Sequence, residues 1–242
     1  MENRLDIFLV KNNYIESREK AQRLIKEKKV KVNNIIITKP SKKVNQNDYI
    51  EIISTEKYVS RAAYKLLHAF EVFNINIEKK VCMDIGSSTG GFTQVLLEKG
   101  AKRVYAIDSG TNQLHQSLRN NPKIILMENT NARYLKKENF EEIDFFTCDV
   151  SFISITKLIS PIKNIISKKS EGIVLIKPQF ELEPSKLIKG IVKNDKFRNE
   201  AIEKVTLSFK NNGFEIIGIT ESPIKGKEGN IEYLLYVKYK MD

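Results

Sequence analysis

Cysteine is scarce in this chain of 242 residues: it holds only Cys82 and Cys148, each inside an apolar, strand-like run. That excludes a disulfide scaffold and a cysteine-based zinc site, and it suits a reducing compartment. Long apolar stretches are missing as well. Nowhere do eighteen apolar residues follow one another, and the opening MENRLDIFLVKNN has too short an apolar run for a secretory leader. The expectation is a soluble cytoplasmic protein with no membrane partner and no metal. There is no internal repeat and no low-complexity tract, so solenoids and fibrous arrays are excluded too.

What the chain does have is positive charge. Lys and Arg number 41 against 30 Asp and Glu, a formal net charge of +11. Such a surface draws phosphates, which makes nucleic acid the leading partner, although a Lys-, Ile- and Asn-rich composition raises charge without any function. The distribution favours a localised surface: the first sixty residues carry 13 Lys and Arg against 8 Asp and Glu.

Apolar residues at helical spacing (Leu5, Ile7, Phe8, Leu9, then Ala21, Leu24, Ile25) predict two short helices, the second capped by Ser17. The stretch from Lys29 to Ile53 alternates and turns like a compact sheet, with Asn33-Asn34 suited to a tight hairpin. A small α+β module over residues 1–54, a linker at 55–59 and a larger domain over 60–242 are expected, with Ser60 capping the helix that opens the larger domain. From Lys80 the chain alternates strand and helix, which predicts a mostly parallel α/β sheet covered on both faces. The last two strands lie close together, so a hairpin should finish the sheet with one strand antiparallel.

Val81 to Phe92 reads as an apolar strand, a glycine-rich turn and an amphipathic helix. Open α/β sheets place ligands at that carboxyl edge, where glycines let a small molecule approach. The turn matches neither G-x-G-x-x-G nor G-x-x-x-x-G-K-[ST], which disfavours a dinucleotide or a nucleoside triphosphate. Asp108, ending the next strand about twenty residues on, suits ribose hydroxyls, so the expected ligand contains adenosine. Asp84 precedes the turn, and two strand-end acids are costly unless they meet donors. Asp149 and Lys177 end two further strands at the same edge. Lys65 lies on the helix leading into the sheet, and Glu232 opens the last strand, so four ionisable groups are expected to converge there. Each alone has an ordinary alternative: a snorkelling lysine, a helix cap or a surface ion pair.

The strings SRAAYKL, DIGSSTGGFT, VYAIDSGTNQL, ENTNAR, CDVSFIS, IKPQFE and SPIKGKEGNIEYL, behind a basic front module, closely resemble the TlyA family over nearly the whole chain. The C-terminal domain of that family is similar to the FtsJ (RrmJ) ribose methyltransferases, and its front module to the RNA-binding module of the S-four ribosomal protein. The resemblance implies a Rossmann-like class I fold that uses S-adenosylmethionine, with the donor held by Asp84, Gly86, Ser87, Ser88, Gly90, Gly91, Phe92 and Asp149, and with Asp108 on its ribose. It implies a Lys-Asp-Lys-Glu catalytic set, which falls on Lys65, Asp149, Lys177 and Glu232. The implied substrate is ribosomal RNA methylated at cytidine 2′-hydroxyls, more commonly in 23S and in some members also in 16S rRNA. Arg4, Lys11, Arg18, Lys20, Arg23, Lys28, Lys29 and Lys31 are the candidates for phosphate contacts. The chain departs from the family in having Lys29 and Asn34 where turn glycines are common, and IDSGTNQL in the loop after the second strand.

Transfer of a methyl group to a sugar hydroxyl needs a base in reach of the hydroxyl proton. Lysine serves when its amine is neutral, so Lys177 is the expected base, Lys65 its neighbouring cation, and the two carboxylates hold the amines. Base methylation is the nearest rival. Asp149-Val150-Ser151-Phe152 lacks the Asn/Asp-Pro-Pro-Tyr/Phe stretch of amino-group methyltransferases, and Cys148 is expected to turn inward, away from any role as a nucleophile. A membrane-lytic protein (some family members carry a hemolysin label) and a non-catalytic assembly factor are the rivals from other classes.

Overall fold

The computed structural model describes residues 2–53, 57–226 and 228–240, in two compact units divided between Lys57 and Tyr58. Ser54 to Glu56, where the sequence placed the end of the front module and the start of its linker, lie outside the described residues.

The first unit contains β1 (Asn3–Arg4), α1 (Leu5–Lys11), α2 (Arg18–Lys26), β2 (Val30–Val32), β3 (Ile35–Ile36), β4 (Lys43–Val44) and β5 (Ile50–Ile52). Ser17 accepts the backbone N–H of Lys20 and so caps α2 as expected. Asn33 and Asn34 take φ of +51° and +65° and close the β2–β3 hairpin, a conformation that asparagine adopts at little cost. Lys28, and not Lys29, carries the positive φ in the turn after α2. Leu5, Phe8, Leu9, Leu24, Ile25, Val30 and Val44 form the core of this unit.

The second unit runs α3 (Ala63–Phe73), β6 (Val81–Ile85), α4 (Gly91–Glu98), β7 (Arg103–Ile107), α5 (Gln116–Arg119), β8 (Ile124–Met127), β9 (Ile143–Cys148), α6 (Ile159–Lys163), β10 (Ile166–Ile176), α7 (Pro178–Glu181), α8 (Asp195–Asn211), β11 (Phe214–Glu221) and β12 (Tyr233–Tyr239). Seven strands form one sheet in the order β11-β12-β10-β9-β6-β7-β8. Neighbours from β10 through β8 are parallel, while β12 is antiparallel to both β10 and β11. β6 is buried along its whole length, as befits a strand covered on both faces. Its alternation splits the core: Val81, Met83 and Ile85 pack with Val205 and Phe209 of α8, and Cys82 packs with Leu66 and Phe70 of α3 and Val95 of α4.

Three local expectations are revised. Ser60 does not cap α3, because the helix starts at Ala63 after a turn in which the Ala63 N–H reaches the Ser60 carbonyl. The helix expected across Ile155 to Ser167 is a 3-10 turn and five residues of α6, after which β-branched Ile165-Ile166 leads into β10. Tyr58 is buried in the second unit and its hydroxyl bonds Glu98, so this unit begins ahead of Ser60.

The strand order fixes where a ligand can sit. From β6 the chain winds outward through β7 and β8, then returns to lay β9 on the other side of β6. The connections after β6 and β9 therefore leave the carboxyl edge in opposite directions and open a crevice between them.

Candidate active site

Asp149 follows β9, Lys177 follows β10 and Glu232 precedes the antiparallel β12, so three strand ends deliver ionisable side chains to one edge, and Lys65 reaches it from the first turn of α3. Lys65 and Lys177 are each 8% exposed and Glu232 is 3% exposed. Lys65 Nζ donates to Glu232 Oε2 at 2.6 Å and lies 3.8 Å from Asp149 Oδ2. Lys177 Nζ lies 2.6 Å from Asp149 Oδ1 and donates to Ser151 Oγ at 2.9 Å. The result is a continuous chain, Glu232–Lys65–Asp149–Lys177–Ser151. Its two cations and two anions balance, which is how charges of this burial are tolerated. Asp149 caps no helix: the cap of the following 3-10 turn is Ser154.

All four charged side chains line a crevice of about 630 Å³, together with Gly86, Ser87, Ser88, Gly91 and Phe92 of the glycine-rich turn. A second cavity of about 380 Å³ lies beside it, walled by Ile107, Asp108, Gln113, Thr130, Asn131, Ala132, Arg133 and Leu158. Gly86, Ser88, Asp149, Ser151 and Phe152 line both. The smaller cavity mixes polar side chains with the apolar Ile107, Ala132 and Leu158, which suits a heterocycle joined to a sugar. Asp108 accepts the N–H groups of Ser88 and Gly110, which fixes its carboxylate at the rim. The buried Ser87 hydroxyl has no partner among the described residues and offers a ligand one hydrogen bond.

The glycines serve a different purpose from the one the sequence suggested. A Cβ on Gly86, at φ +80°, would meet the Asp149 carbonyl oxygen at 2.3 Å, and one on Gly90, at φ +95°, would meet Leu118 and Leu114. They make room for protein, so that the ends of β6 and β9 can close up beneath the cavities. Asp84 also differs from its expected place. It is fully buried, its oxygens accept the hydroxyls of Thr93 and Thr147, and burial pushes its carboxyl up to about 6. It braces β6 against α4 and β9 and does not face either cavity; Gly90 lines neither cavity. Both cysteines are buried, and desolvation pushes the Cys148 thiol well above its ordinary range and that of Cys82 to about 12. Neither can serve as a nucleophile, which removes the cytosine-carbon alternative.

Residues 58–239 match the model of the FtsJ-like methyltransferase family, and residues 3–50 match that of the S4 domain. The 16S/23S rRNA (cytidine-2'-O)-methyltransferase TlyA of Mycobacterium tuberculosis is 35% identical over 243 residues, covering 99% of this chain and 91% of its own. The chain belongs to the TlyA family. Hemolysin A of Brachyspira hyodysenteriae, 44% identical over 236 residues, covers 96% of this chain and 98% of its own. A solved structure from Streptococcus thermophilus that carries the hemolysin label superposes with a TM-score of 0.80 at 36% identity, covering 99% of this chain and 89% of that one. Among the described residues of this TlyA-family chain, no helix is long and apolar enough to cross a membrane, and no cluster of side chains could hold a metal ion.

In the S4 unit the basic side chains are more tied down than their number suggests. Asp6 is buried and accepts Arg4 Nε at 3.0 Å, Arg18 Nε at 3.0 Å and Gln22 Nε2 at 2.7 Å. The Arg4 guanidinium above all, with Gln22 and Arg18, holds its carboxyl well below the usual range. Lys20 pairs with Glu16, Lys29 with Glu27 and Lys31 with Glu51. Lys11 and Lys28 are exposed, and Arg23 is half-buried in α2.

Several site residues carried no weight in the sequence reading. Ser151 and Phe152 were read only as the absence of a Pro-Pro motif. Phe152 is 92% exposed, sits at φ +64° and has its ring 5.3 Å from that of Phe180. A bulky residue in the left-handed region is strained, and such strain gathers at functional edges. Asn131, Ala132 and Arg133 wall the smaller cavity, and their position just beyond a strand end, in ENTNAR, was the available signal. Glu128 was missed as well. It accepts the N–H groups of Leu114, Gln113 and Asn112 and pairs with Arg119, so it holds the divergent IDSGTNQL loop against that cavity. The Leu114 N–H foremost, then those of Gln113 and Asn112 with Arg119, keep its carboxyl below the usual range.

Proposed function

We propose that this chain methylates ribose 2′-hydroxyls at cytidines of ribosomal RNA, with S-adenosylmethionine as donor and Lys177 as base. The principal target is 23S rRNA, and 16S rRNA is a second. The observation that carries the reading is the buried Glu232–Lys65–Asp149–Lys177 chain, set at the switch point of the sheet in the crevice that adjoins a nucleoside-sized cavity. The name of the Mycobacterium tuberculosis relative describes the same reaction.

Asp108, Asn131, Gly86, Ser88 and Ser87 are the residues that would hold the donor, and Asp84 acts on it only through the shape it gives β6. When bound, S-adenosylmethionine supplies a methyl carbon on a sulfonium, whose leaving group is a neutral thioether. The chain's own contribution is to the hydroxyl. Lys177, paired as a cation with Asp149, acts as base once it has released one proton to solvent, and the neutral amine then has two N–H bonds and one lone pair. Lys177 Nζ is held by a hydrogen bond to Ser151 Oγ and by the ion pair with Asp149, and it borders the crevice where its lone pair would meet the hydroxyl. There Lys177 would take the 2′-hydroxyl proton while the bound donor supplies the methyl group, and the proton would then pass to solvent. Lys65, held by Glu232, fixes the other oxygen of Asp149 and so keeps the acceptor of Lys177 in place.

Residues 1–54 act as the RNA-binding module, and the catalytic domain begins at Tyr58. Arg4, Lys11, Arg18, Lys20, Arg23, Lys28, Lys29 and Lys31 supply its phosphate contacts. The decisive experiment incubates purified protein and tritium-labelled donor with ribosomal subunits from a strain lacking this methylation, and maps the labelled nucleotide. Lys177→Ala should abolish transfer while donor affinity stays within a few-fold of wild type. Wild-type turnover by that variant would remove the base assignment, and label on a nucleobase would remove the ribose reading.

A further inference from the structure

The ribose reading leaves open how the crevice distinguishes one nucleotide from another. Gln179 lies in the first turn of α7, two residues after Lys177, and lines the same crevice as the four charged side chains. Its Oε1 is buried and has no hydrogen-bond partner among the described residues. A buried carbonyl oxygen left unmatched costs stability, and such atoms in a binding crevice mark where a ligand donor belongs. The charged neighbours do not fill that role, because Lys65 and Lys177 are committed to Glu232, Asp149 and Ser151. The wall beside it is aromatic: Phe180 follows Gln179 directly, and Phe152 stands 5.3 Å from it at the outer lip. Flat π surfaces next to an amide edge form the usual receptor for an unstacked nucleobase, in which stacking holds the ring and the amide reads its edge.

We propose that Gln179 selects the target base, its Oε1 accepting a hydrogen bond from an exocyclic amine on the Watson–Crick edge. Cytosine and adenine present that amine. Uracil presents a carbonyl at the corresponding place, so two acceptors would face each other and the crevice rejects it. This rests on the reading of the chain as an RNA ribose methyltransferase.

The test uses the full-length protein and three transcripts of the mapped target region that differ only in the target base: cytosine, adenine or uracil. Wild type should show a kcat/KM at least about tenfold higher on the first two than on the third. Gln179→Leu, which keeps the size of the side chain and removes its acceptor, should lower kcat/KM on the cytosine transcript by about tenfold or more, leave the uracil transcript within about twofold and retain donor affinity. Gln179→Glu, which keeps an acceptor there, should retain the preference over uracil. A Gln179→Leu protein with the wild-type ratio of cytosine to uracil, or a wild type that favours uracil, overturns the assignment of Gln179 and leaves ribose methylation standing. A wild type that labels none of the three and none of the intact subunits overturns the methyltransferase reading, and this inference with it.

Discussion

Ser151 is the neutral partner of Lys177, beside the charged Asp149. Ser151→Ala removes one of the two acceptors that set the direction of the Lys177 amine, and the expected outcome is a kcat lower by about ten- to a hundredfold with KM little changed. Ser151→Thr, which restores a hydroxyl, should recover most of it, and steady-state kinetics on undermodified subunits decide. Asp84 gives a prediction of a different kind. Its folded carboxyl titrates near 6, above the ordinary 3.8, because burial outweighs the hydroxyls of Thr93 and Thr147. Between those values the unfolded chain has lost a proton that the folded chain keeps, so stability falls as pH rises through that window and is level above it. A shift of this size corresponds to at most about 3 kcal/mol. Denaturant titrations of wild type and Asp84→Asn at pH 4 and pH 7 should show that decline in the former and little of it in the latter. At this scale the sequence was informative about types and poor about orientation. Asp149, Lys177 and Glu232 could be placed at one edge from strand ends, and Lys65 from the helix leading into the sheet, whereas nothing in one dimension shows that Asp84 turns inward while Asp108 stays at the rim.

Among the elements, the turn after β6 is the least tolerant of change. Gly86→Ala puts a Cβ at φ +80° and 2.3 Å from the Asp149 carbonyl oxygen, so either the turn or the end of β9 has to move. Backbone strain of this sort costs about 1–3 kcal/mol. Because Asp149 moves with it, donor binding and methyl transfer should both fall; isothermal titration and the tritium assay would show whether they do. The loop from Ser151 to Ser154 is anchored from the far side by Glu181, which accepts the Ser154 hydroxyl and the Ile155 N–H. Helices and strands with strong periodicity were legible, α2 with its Ser17 cap among them. The short elements were not. Ser60 had the right residue type for a cap, yet the preceding turn already satisfies the first amides of α3. Ile162 to Ile166 suits helix and strand alike, and it is the register of β10 beside β9, a long-range contact, that decides.

For the molecule as a whole, charge is the quantity that reaches furthest. Lys11 and Lys28 are exposed and lie outside the apolar core of the first unit, so Lys11→Glu with Lys28→Glu should lower affinity for ribosomal RNA by about tenfold near 0.15 M salt, flatten its salt dependence, and leave donor binding unchanged. Filter binding across a salt series, beside calorimetry with the donor, separates that outcome from general unfolding. The net charge of +11 was visible from composition, but the pairing of Arg4 and Arg18 with Asp6 was not, since it joins residues twelve or more apart in the case of Arg18. The alternation of strands and helices announced a parallel sheet without announcing the order of its strands. That order, with β12 inserted between β10 and β11, came only from three dimensions.

The insertion of β12 also sets the order in which the site can assemble. A strand that runs against its neighbours starts where they finish, which is how Glu232 arrives beside Lys65. Until Tyr233–Tyr239 has been synthesised and has slotted into the middle of the sheet, Lys65 lacks its anchor and β11 has no neighbour to pair with. A chain still short of Tyr233–Tyr239 therefore holds the lysines of the crevice without the strand that brings Glu232 to them.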